Sequence, residues 1–95
     1  GLAAIARERG VLLTVDNTSL TPLNIKPLAL GAHVVMHSAT KYLNGHSDVM
    51  AGVLALREEG LIEELAFHHN AQGVALPPFE CALMLRGMET MALRV

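Results

Sequence analysis

Two short apolar stretches decide the fold: VLLTVD at residues 11–16 and VVMHSATK at residues 34–41. Residues 11–15 are apolar and partly β-branched, which is typical of a buried strand, and a polar cluster follows from Asp16 onward. Residues 34–36 have the same character and also end in polar residues. The two stretches therefore predict two strands that each deliver polar side chains at the carboxyl end.

The segments around these strands predict helices and one further strand. The predicted helices cover residues 2–9, 58–69 and 79–85, and the predicted third strand covers residues 49–56. Residues 79–85 are apolar nearly all round, which predicts a buried helix with Cys81 inside it. Alternating helices and strands indicate an α/β layer structure. All 95 residues are expected to belong to one domain.

Composition narrows the classes of protein that are possible. Hydrophobic residues make up 52% of the 95 residues and charged residues only 17%, which is more apolar side chain than so short a chain readily buries. We therefore expect the chain to be a piece of a larger protein, cut at both ends. The net charge of -2 and the scarcity of aromatic residues argue against nucleic-acid binding. No apolar run approaches the length of a membrane span, and no signal peptide is recognisable.

The polar residues after the two strands form a set that can carry chemistry. In open α/β sheets ligands bind outside the carboxyl ends of the strands, where the sequence places Asp16, Ser38, Thr40 and Lys41. Pyridoxal phosphate needs these groups: an amine for its aldehyde, a carboxylate for its pyridine nitrogen and hydroxyls for its phosphate. The spacing alone nevertheless favours a simpler explanation, in which the hydroxyls satisfy a local turn and the lysine is solvated.

A longer motif favours the cofactor site over the local turn. The stretch HSATKYLNGHSDV at residues 37–49, with VDNT at residues 15–18, PF at residues 78–79 and LRG at residues 85–87, resembles the Cys/Met-metabolism family of pyridoxal-phosphate enzymes. That family includes cystathionine β-lyase, cystathionine γ-synthase, cystathionine γ-lyase and methionine γ-lyase. The resemblance covers essentially the whole chain.

The resemblance implies a role for each residue of the set. Lys41 would attach covalently to the cofactor and later move protons, and Asp16 would pair with the pyridine nitrogen. Ser38 and Thr40 would bind the phosphate, and Thr18 would lie near the ring. The implied fold is a fragment of the fold type I pyridoxal-phosphate transferase large domain, a mainly parallel sheet flanked by helices. Residues 1–95 would be its second half, with the N-terminal part and the C-terminal domain absent.

Within the family, residues 46–55 and 90–94 are most similar to cystathionine β-lyases. The resemblance thus implies a carbon–sulfur lyase that converts cystathionine to homocysteine, pyruvate and ammonia in methionine biosynthesis. Cystathionine γ-synthase, cystathionine γ-lyase and methionine γ-lyase are the alternatives, and a non-catalytic α/β binding module that shares the motif is the alternative outside enzymes. A small sulfur amino acid as substrate, a homotetramer and a cytoplasmic location, or a plastid in a plant, are also implied.

Five histidines raise the question of a metal site. His68 and His69 are adjacent on a predicted helix and so do not face the same way. His37 and His46 flank Lys41 without an acidic or cysteine partner at a familiar ligand spacing. We therefore predict no metal site, and we expect His37 and His46 to be loop residues that hold the lysine segment. Arg86 is predicted to have a structural role.

Overall fold

The computed structural model describes all 95 residues. Three strands form one sheet, with α-helices and one 3-10 helix before, between and after them. In chain order the elements are α1 (Leu2–Glu8), β1 (Thr14–Asp16), α2 (Thr21–Asn24), the 3-10 helix (Pro27–Leu30), β2 (Val34–Ser38), β3 (Gly52–Leu56), α3 (Glu59–Gln72), α4 (Pro78–Glu89) and α5 (Met91–Arg94). This arrangement confirms the predicted α/β class.

The sheet has the order β1-β2-β3 and contains both kinds of strand pairing. β1 and β2 are parallel, with Asp16 beside Met36. β2 and β3 are antiparallel, with Ser38 beside Gly52. The carboxyl ends of β1 and β2 and the start of β3 consequently lie at the same edge of the sheet.

The first strand is shorter than predicted. The sequence pattern predicts a strand from Val11, but Val11 and Leu12 are exposed and β1 begins at Thr14. The Leu13 backbone N–H donates to Nδ1 of His33 at 2.9 Å. Because this donor is used by a side chain instead of a neighbouring strand, regular pairing with β2 starts only after it.

The third strand is also shorter than the predicted residues 49–56. Val49 is buried in the hydrophobic core, and the backbone of Ala51 bonds to the Thr40 hydroxyl. Antiparallel pairing with β2 therefore begins at Gly52. The residues before it form a loop that returns to the end of β2.

The main hydrophobic cluster lies beneath that loop. Its buried members come from the loop, from α4 and from α5: Ala39, Leu43, Val49, Met84 and Met91. The two C-terminal helices thus pack against the segment that contains Lys41. Burial of these side chains fixes the position of the loop, although none of them is a candidate for chemistry.

Much of the remaining apolar surface has no partner within the chain. Only 14 of the 95 residues are buried, which agrees with the apolar excess seen in the composition. The prediction that residues 79–85 are buried is wrong, since Phe79 is 70% and Leu85 65% exposed and Cys81 is also exposed. The reason is that α4 contacts the rest of the chain through one face only, which contains Met84 and Gly87.

The proline-containing segment between β1 and β2 is more ordered than the sequence pattern indicates. Pro22 lies in the first turn of α2, and Pro27 begins the 3-10 helix. Proline suits the start of a helix because its fixed φ is already helical and its missing N–H would have no partner there. None of the helices is both long enough and apolar enough to span a membrane.

Candidate active site at the carboxyl edge of the sheet

A relay of hydrogen bonds joins the ends of β1 and β2. The Thr18 hydroxyl donates to Asp16 Oδ1 at 2.6 Å, and the Thr18 backbone N–H donates to the same oxygen at 3.0 Å. The Thr18 hydroxyl also accepts a bond from the Ser38 backbone N–H at 2.8 Å. Thr18 is therefore the link between the Asp16 carboxylate and the second strand end.

The same two bonds affect the ionisation of Asp16. The Thr18 side chain, followed by the Thr18 backbone, lowers the pKa of Asp16 below its ordinary value, because both donate to the charged form. Desolvation acts in the opposite direction, and the nearby His37 lowers the pKa slightly further. Oδ2 of Asp16 has no hydrogen-bond partner in the chain. Asp16 thus presents an ionised oxygen at the sheet edge.

Lys41 begins a tight turn directly after β2. Its backbone N–H donates to the Ser38 carbonyl at 3.2 Å, and its carbonyl accepts from the Gly45 N–H at 2.7 Å. Its side chain is exposed and has no carboxylate partner, since the one salt bridge of the structure joins Arg86 to Asp48. The backbone of Lys41 is therefore held while its amine stays available.

Thr40 closes the loop that carries Lys41, and we call residues 40–51 the lysine loop. The Thr40 hydroxyl accepts from the Ala51 N–H at 2.9 Å and lies 3.3 Å from the Ala51 carbonyl. A hydroxyl has one proton, so Thr40 can donate either to that carbonyl or to a phosphate. The Ser38 hydroxyl has no partner in the chain and is free to donate.

An open depression of about 980 Å³ lies beside these groups, lined by Thr18, Thr40 and Lys41. Asp16 instead lines a second, mainly apolar cavity of about 590 Å³, and Ser38 lines neither. The structure therefore brings three of the five predicted site residues to one depression. Thr18 connects the other two to it through its hydrogen bonds.

Sequence reasoning missed the polar residues that support the lysine loop. The side-chain amide of the fully buried Asn44 donates to Asp48 at 2.7 Å, and Arg86 bonds the other Asp48 oxygen at 2.7 Å. Asn44 is the larger cause, and Arg86 a lesser one, of the lowered pKa of Asp48. The contact gives Arg86 a structural role, as predicted. The asparagine belonged to a motif already noted, but its burial could not be inferred from spacing.

The two histidines near Lys41 occupy different positions. His37 lies within β2 and is buried, so the prediction that it is a loop residue is wrong. Its place in the strand follows from pairing with Val53 of β3. His46 does lie in the lysine loop, where its Nδ1 is 2.7 Å from the Asn44 carbonyl. No group of three His, Cys, Asp or Glu side chains is arranged to hold a metal ion.

Arg94 is a further residue of the depression that the sequence pattern did not reveal. Its guanidinium donates to the carbonyl of Tyr42, the residue after Lys41, at 3.0 Å. Arg94 and Tyr42 lie on α5 and on the lysine loop, which only the packing of the C-terminal helices brings together. No local spacing in the sequence could have indicated this contact.

The donor and acceptor groups at this edge fit pyridoxal phosphate. Asp16 offers an ionised oxygen for a protonated ring nitrogen, and Lys41 offers an unpaired amine for an aldehyde. The free hydroxyl of Ser38 can donate to a phosphate, and Thr40 can do so by releasing the Ala51 carbonyl. The chain shows neither a second lysine at this edge nor a competing partner for the Lys41 amine.

Fold and site together define a class of protein, an α/β domain with a carboxylate and an amine at the ends of neighbouring strands, where such folds bind their ligands. The chain belongs to the Cys/Met metabolism PLP-dependent enzyme family, whose model matches residues 1–95.

Three comparisons show how the chain relates to characterised proteins. The cystathionine gamma-synthase/O-acetylhomoserine (thiol)-lyase of Bacillus subtilis is 52% identical over 94 residues, which is 99% of this chain and 25% of that protein. The chloroplastic cystathionine beta-lyase of Arabidopsis thaliana is also 52% identical, over 99% of this chain and 20% of that protein. The crystal structure of cystathionine gamma-lyase from Lactobacillus plantarum, complexed with L-serine, superposes with a TM-score of 0.94 at 42% identity, covering 97% of this chain and 24% of that one.

The chain thus spans about a fifth to a quarter of the length of the relatives it matches. These relatives are named for different reactions, and the two that are 52% identical to the chain differ in the reaction for which they are named. The comparisons therefore establish the family and its cofactor, and they leave the particular reaction to be proposed.

Proposed function

We propose that residues 1–95 are the second half of the cofactor-binding large domain of a pyridoxal-phosphate-dependent carbon–sulfur lyase. The observation that supports this most directly is the hydrogen-bonded link from Asp16 through Thr18 to the end of β2, where Lys41 follows. It ties the Asp16 carboxylate to the backbone of Ser38, three residues before Lys41, and the family to which the chain belongs uses pyridoxal phosphate.

Each residue of the set has a defined task in this proposal. When bound, pyridoxal phosphate supplies a sink for the electron pair left at the substrate α-carbon. Asp16, kept ionised by Thr18, holds a proton on the ring nitrogen. Lys41 would hold the cofactor through its aldehyde group, and its amine would remove the proton from the substrate α-carbon. Ser38 and Thr40 hold the phosphate by hydrogen bonds to a charged group.

For the particular reaction we propose β-elimination of cystathionine, which gives homocysteine, pyruvate and ammonia. Support comes from the similarity of residues 46–55 and 90–94 to cystathionine β-lyases and from the 52% identity to the Arabidopsis thaliana enzyme. The γ-acting reactions are the second candidate, because the Bacillus subtilis relative named for γ-synthase activity is equally identical. We further propose that the full-length protein is a homotetramer in the cytoplasm, or in a plastid if the source is a plant.

The products that the full-length enzyme makes from cystathionine test the reaction. Cleavage between the sulfur and the β-carbon yields pyruvate and a homocysteine thiol, whereas γ-cleavage yields 2-oxobutyrate and cysteine. We expect pyruvate and homocysteine in equal amounts. Equal amounts of 2-oxobutyrate and cysteine would instead support γ-elimination, and formation of cystathionine from cysteine and an O-acylated homoserine would support the γ-synthase alternative. Absence of all these products would support the binding module.

A further inference from the structure

The turn that carries Lys41 is held from outside by α4 and α5. Lys41 itself is fixed only by its neighbours in the turn, through the bonds to Ser38 and Gly45. The next carbonyl along, that of Tyr42, accepts a bond from Nη1 of Arg94 at 3.0 Å. The direction of the turn thus depends on a side chain that belongs to the last helix.

Arg94 uses all three of its guanidinium nitrogens within the chain. Nε donates to the Thr90 hydroxyl at 3.1 Å, and Nη2 donates to the carbonyl of Gly87. Bonds from a charged donor are stronger than neutral ones, and the planar guanidinium holds several acceptors in fixed directions. Arg94 therefore ties the Tyr42 carbonyl to the junction between α4 and α5.

Two glycines leave the space in which this tie forms. A Cβ at Gly45 would overlap the Arg94 guanidinium, and Gly45 also has a φ of +72°, a conformation that other residues rarely adopt. A Cβ at Gly87 would overlap the backbone of Asn44. Backbone of α4 and backbone of the lysine loop thus approach directly, with Arg94 lying over the turn.

We propose that Arg94 is a positioning residue for Lys41: its guanidinium fixes the Tyr42 carbonyl and so aims the Lys41 amine into the depression. This inference rests on the proposed role of Lys41 as cofactor anchor. Arg94 lines the same depression, and a guanidinium has five N–H groups of which the chain uses three. A competing explanation is therefore that Arg94 binds a substrate carboxylate directly.

The test compares Arg94→Lys with Arg86→Lys in the full-length protein. A lysine ammonium can replace the single bond that Arg86 makes to Asp48, but it cannot reproduce the fork that Arg94 makes to three oxygens. In the cofactor-free protein, hydrogen exchange is measured at the Gly45 amide, which bonds the Lys41 carbonyl. We expect exchange about 10-fold faster in Arg94→Lys, unchanged in Arg86→Lys, and unchanged in both within β2.

The second measurement is the steady-state kinetics of the full-length enzyme with pyridoxal phosphate bound. If Arg94 aims Lys41, Arg94→Lys lowers kcat about 10-fold and leaves KM within about 2-fold. Thr90→Val, which removes the Nε partner and the long bond from the Thr90 hydroxyl to the Gly87 carbonyl but leaves the Tyr42 bond, shifts exchange and kcat in the same direction by less. Unchanged exchange at Gly45, or a raised KM at unchanged kcat, would overturn the proposal and favour the carboxylate-binding explanation. The proposed function has a separate test, in which borohydride reduction attaches the cofactor to Lys41. Hydrogen exchange is measured without cofactor, so its result does not depend on the outcome of that labelling.

Discussion

The lysine loop and α3 show two opposite ways in which a segment of this chain is organised. The lysine loop has little regular secondary structure, yet it contains Leu43, Asn44 and Val49, which are all buried. α3 is a regular helix of 14 residues with a capped N-terminus, and it buries none of them. In this chain, a segment with regular secondary structure is therefore not always one whose side chains pack against the rest of the chain.

The difference follows from where each segment finds its partners. The polar groups of the lysine loop bond to one another, to β2 and to the C-terminal helices, all within these 95 residues. Apolar side chains of α3 such as Phe67 lie exposed instead. Stability varies across a structure with the density of such contacts. We therefore expect substitutions in the lysine loop to affect function far more than substitutions in α3.

The largest effect is expected from Lys41→Ala in the full-length enzyme. Loss of the amine removes both the covalent anchor and the base at the substrate α-carbon, so kcat should fall by about 10³-fold or more. Borohydride treatment followed by peptide mapping should find the pyridoxyl group on the Thr40-Lys41-Tyr42 peptide of the wild type and nowhere in the variant. Lys26→Ala, which changes the only other lysine among residues 1–95, is the matched control and should behave as wild type. A label on Lys26 would refute the assignment.

Asp16→Asn should have the next largest effect. An amide no longer favours the protonated ring nitrogen, so the variant should retain some cofactor while kcat falls on the order of 100-fold. Absorbance of the bound cofactor and steady-state kinetics measure the two quantities separately. Thr18→Val, which keeps Asp16 but removes its hydroxyl donor, should lose less activity than Asp16→Asn. A wild-type kcat in Asp16→Asn would show that Asp16 is not the ring partner.

Ser38→Ala and Thr40→Ala should weaken cofactor retention more than they change the chemistry. Each removes one bond to a charged group, worth about 1.5–3 kcal/mol, which corresponds to roughly 10- to 100-fold in affinity. Thr40→Ala also removes the acceptor of the Ala51 N–H, so it should loosen the lysine loop as well, and Thr40→Ser is its control. Equilibrium dialysis against pyridoxal phosphate measures the affinities, and unchanged values in both alanine variants would exclude these residues from the phosphate site.

The smallest effect concerns the exposed pair of Asp48 and Arg86. The pKa of Asp48 is lowered in the folded chain, by Asn44 first and Arg86 second. A group with a lowered folded pKa stabilises the fold above its unfolded value, and the contribution disappears as the pH falls through the folded value. Asp48→Asn should therefore be slightly less stable than wild type at pH 7, with the difference vanishing well below the ordinary value of 3.8. Urea unfolding of wild type and variant, at pH 7 and at a pH well below 3.8, measures the difference in their free energies of unfolding. A difference that grows towards low pH would contradict the prediction.

The sequence was sufficient for the parts of the site that depend on strand ends. Asp16, Ser38 and Lys41 follow apolar runs, and parallel pairing of β1 with β2 places them at one edge, as the pattern predicted. The bounds of the strands were less accurate. Hydrophobicity does not reveal that the backbone of Leu13 bonds to the His33 side chain or that Ala51 bonds to Thr40.

The contacts that the sequence did not reveal all depend on tertiary packing. Arg94 reaches Tyr42 only because α4 and α5 fold back over the loop, and the helix pattern there predicted burial of Phe79 and Leu85 instead. A helix that is apolar on several sides gives no indication of which side meets the rest of the chain. In α4 the packed face is the one that contains Gly87, because the absence of a side chain there lets the helix backbone approach the backbone of Asn44 closely.

Closure of the lysine loop by Thr40 and Ala51 has a consequence for how this part of the molecule can diverge. The two bonds between Thr40 and Ala51 join the ends of the lysine loop, and we call them the clasp. They hold β2 and β3 in register even if the residues between Thr40 and Ala51 change in length or sequence. Lys41 stands beside the clasp, whereas Ser47 and Met50 lie further along the rim of the depression. Insertions or replacements along that rim would therefore reshape the depression while β2 and β3 keep their register.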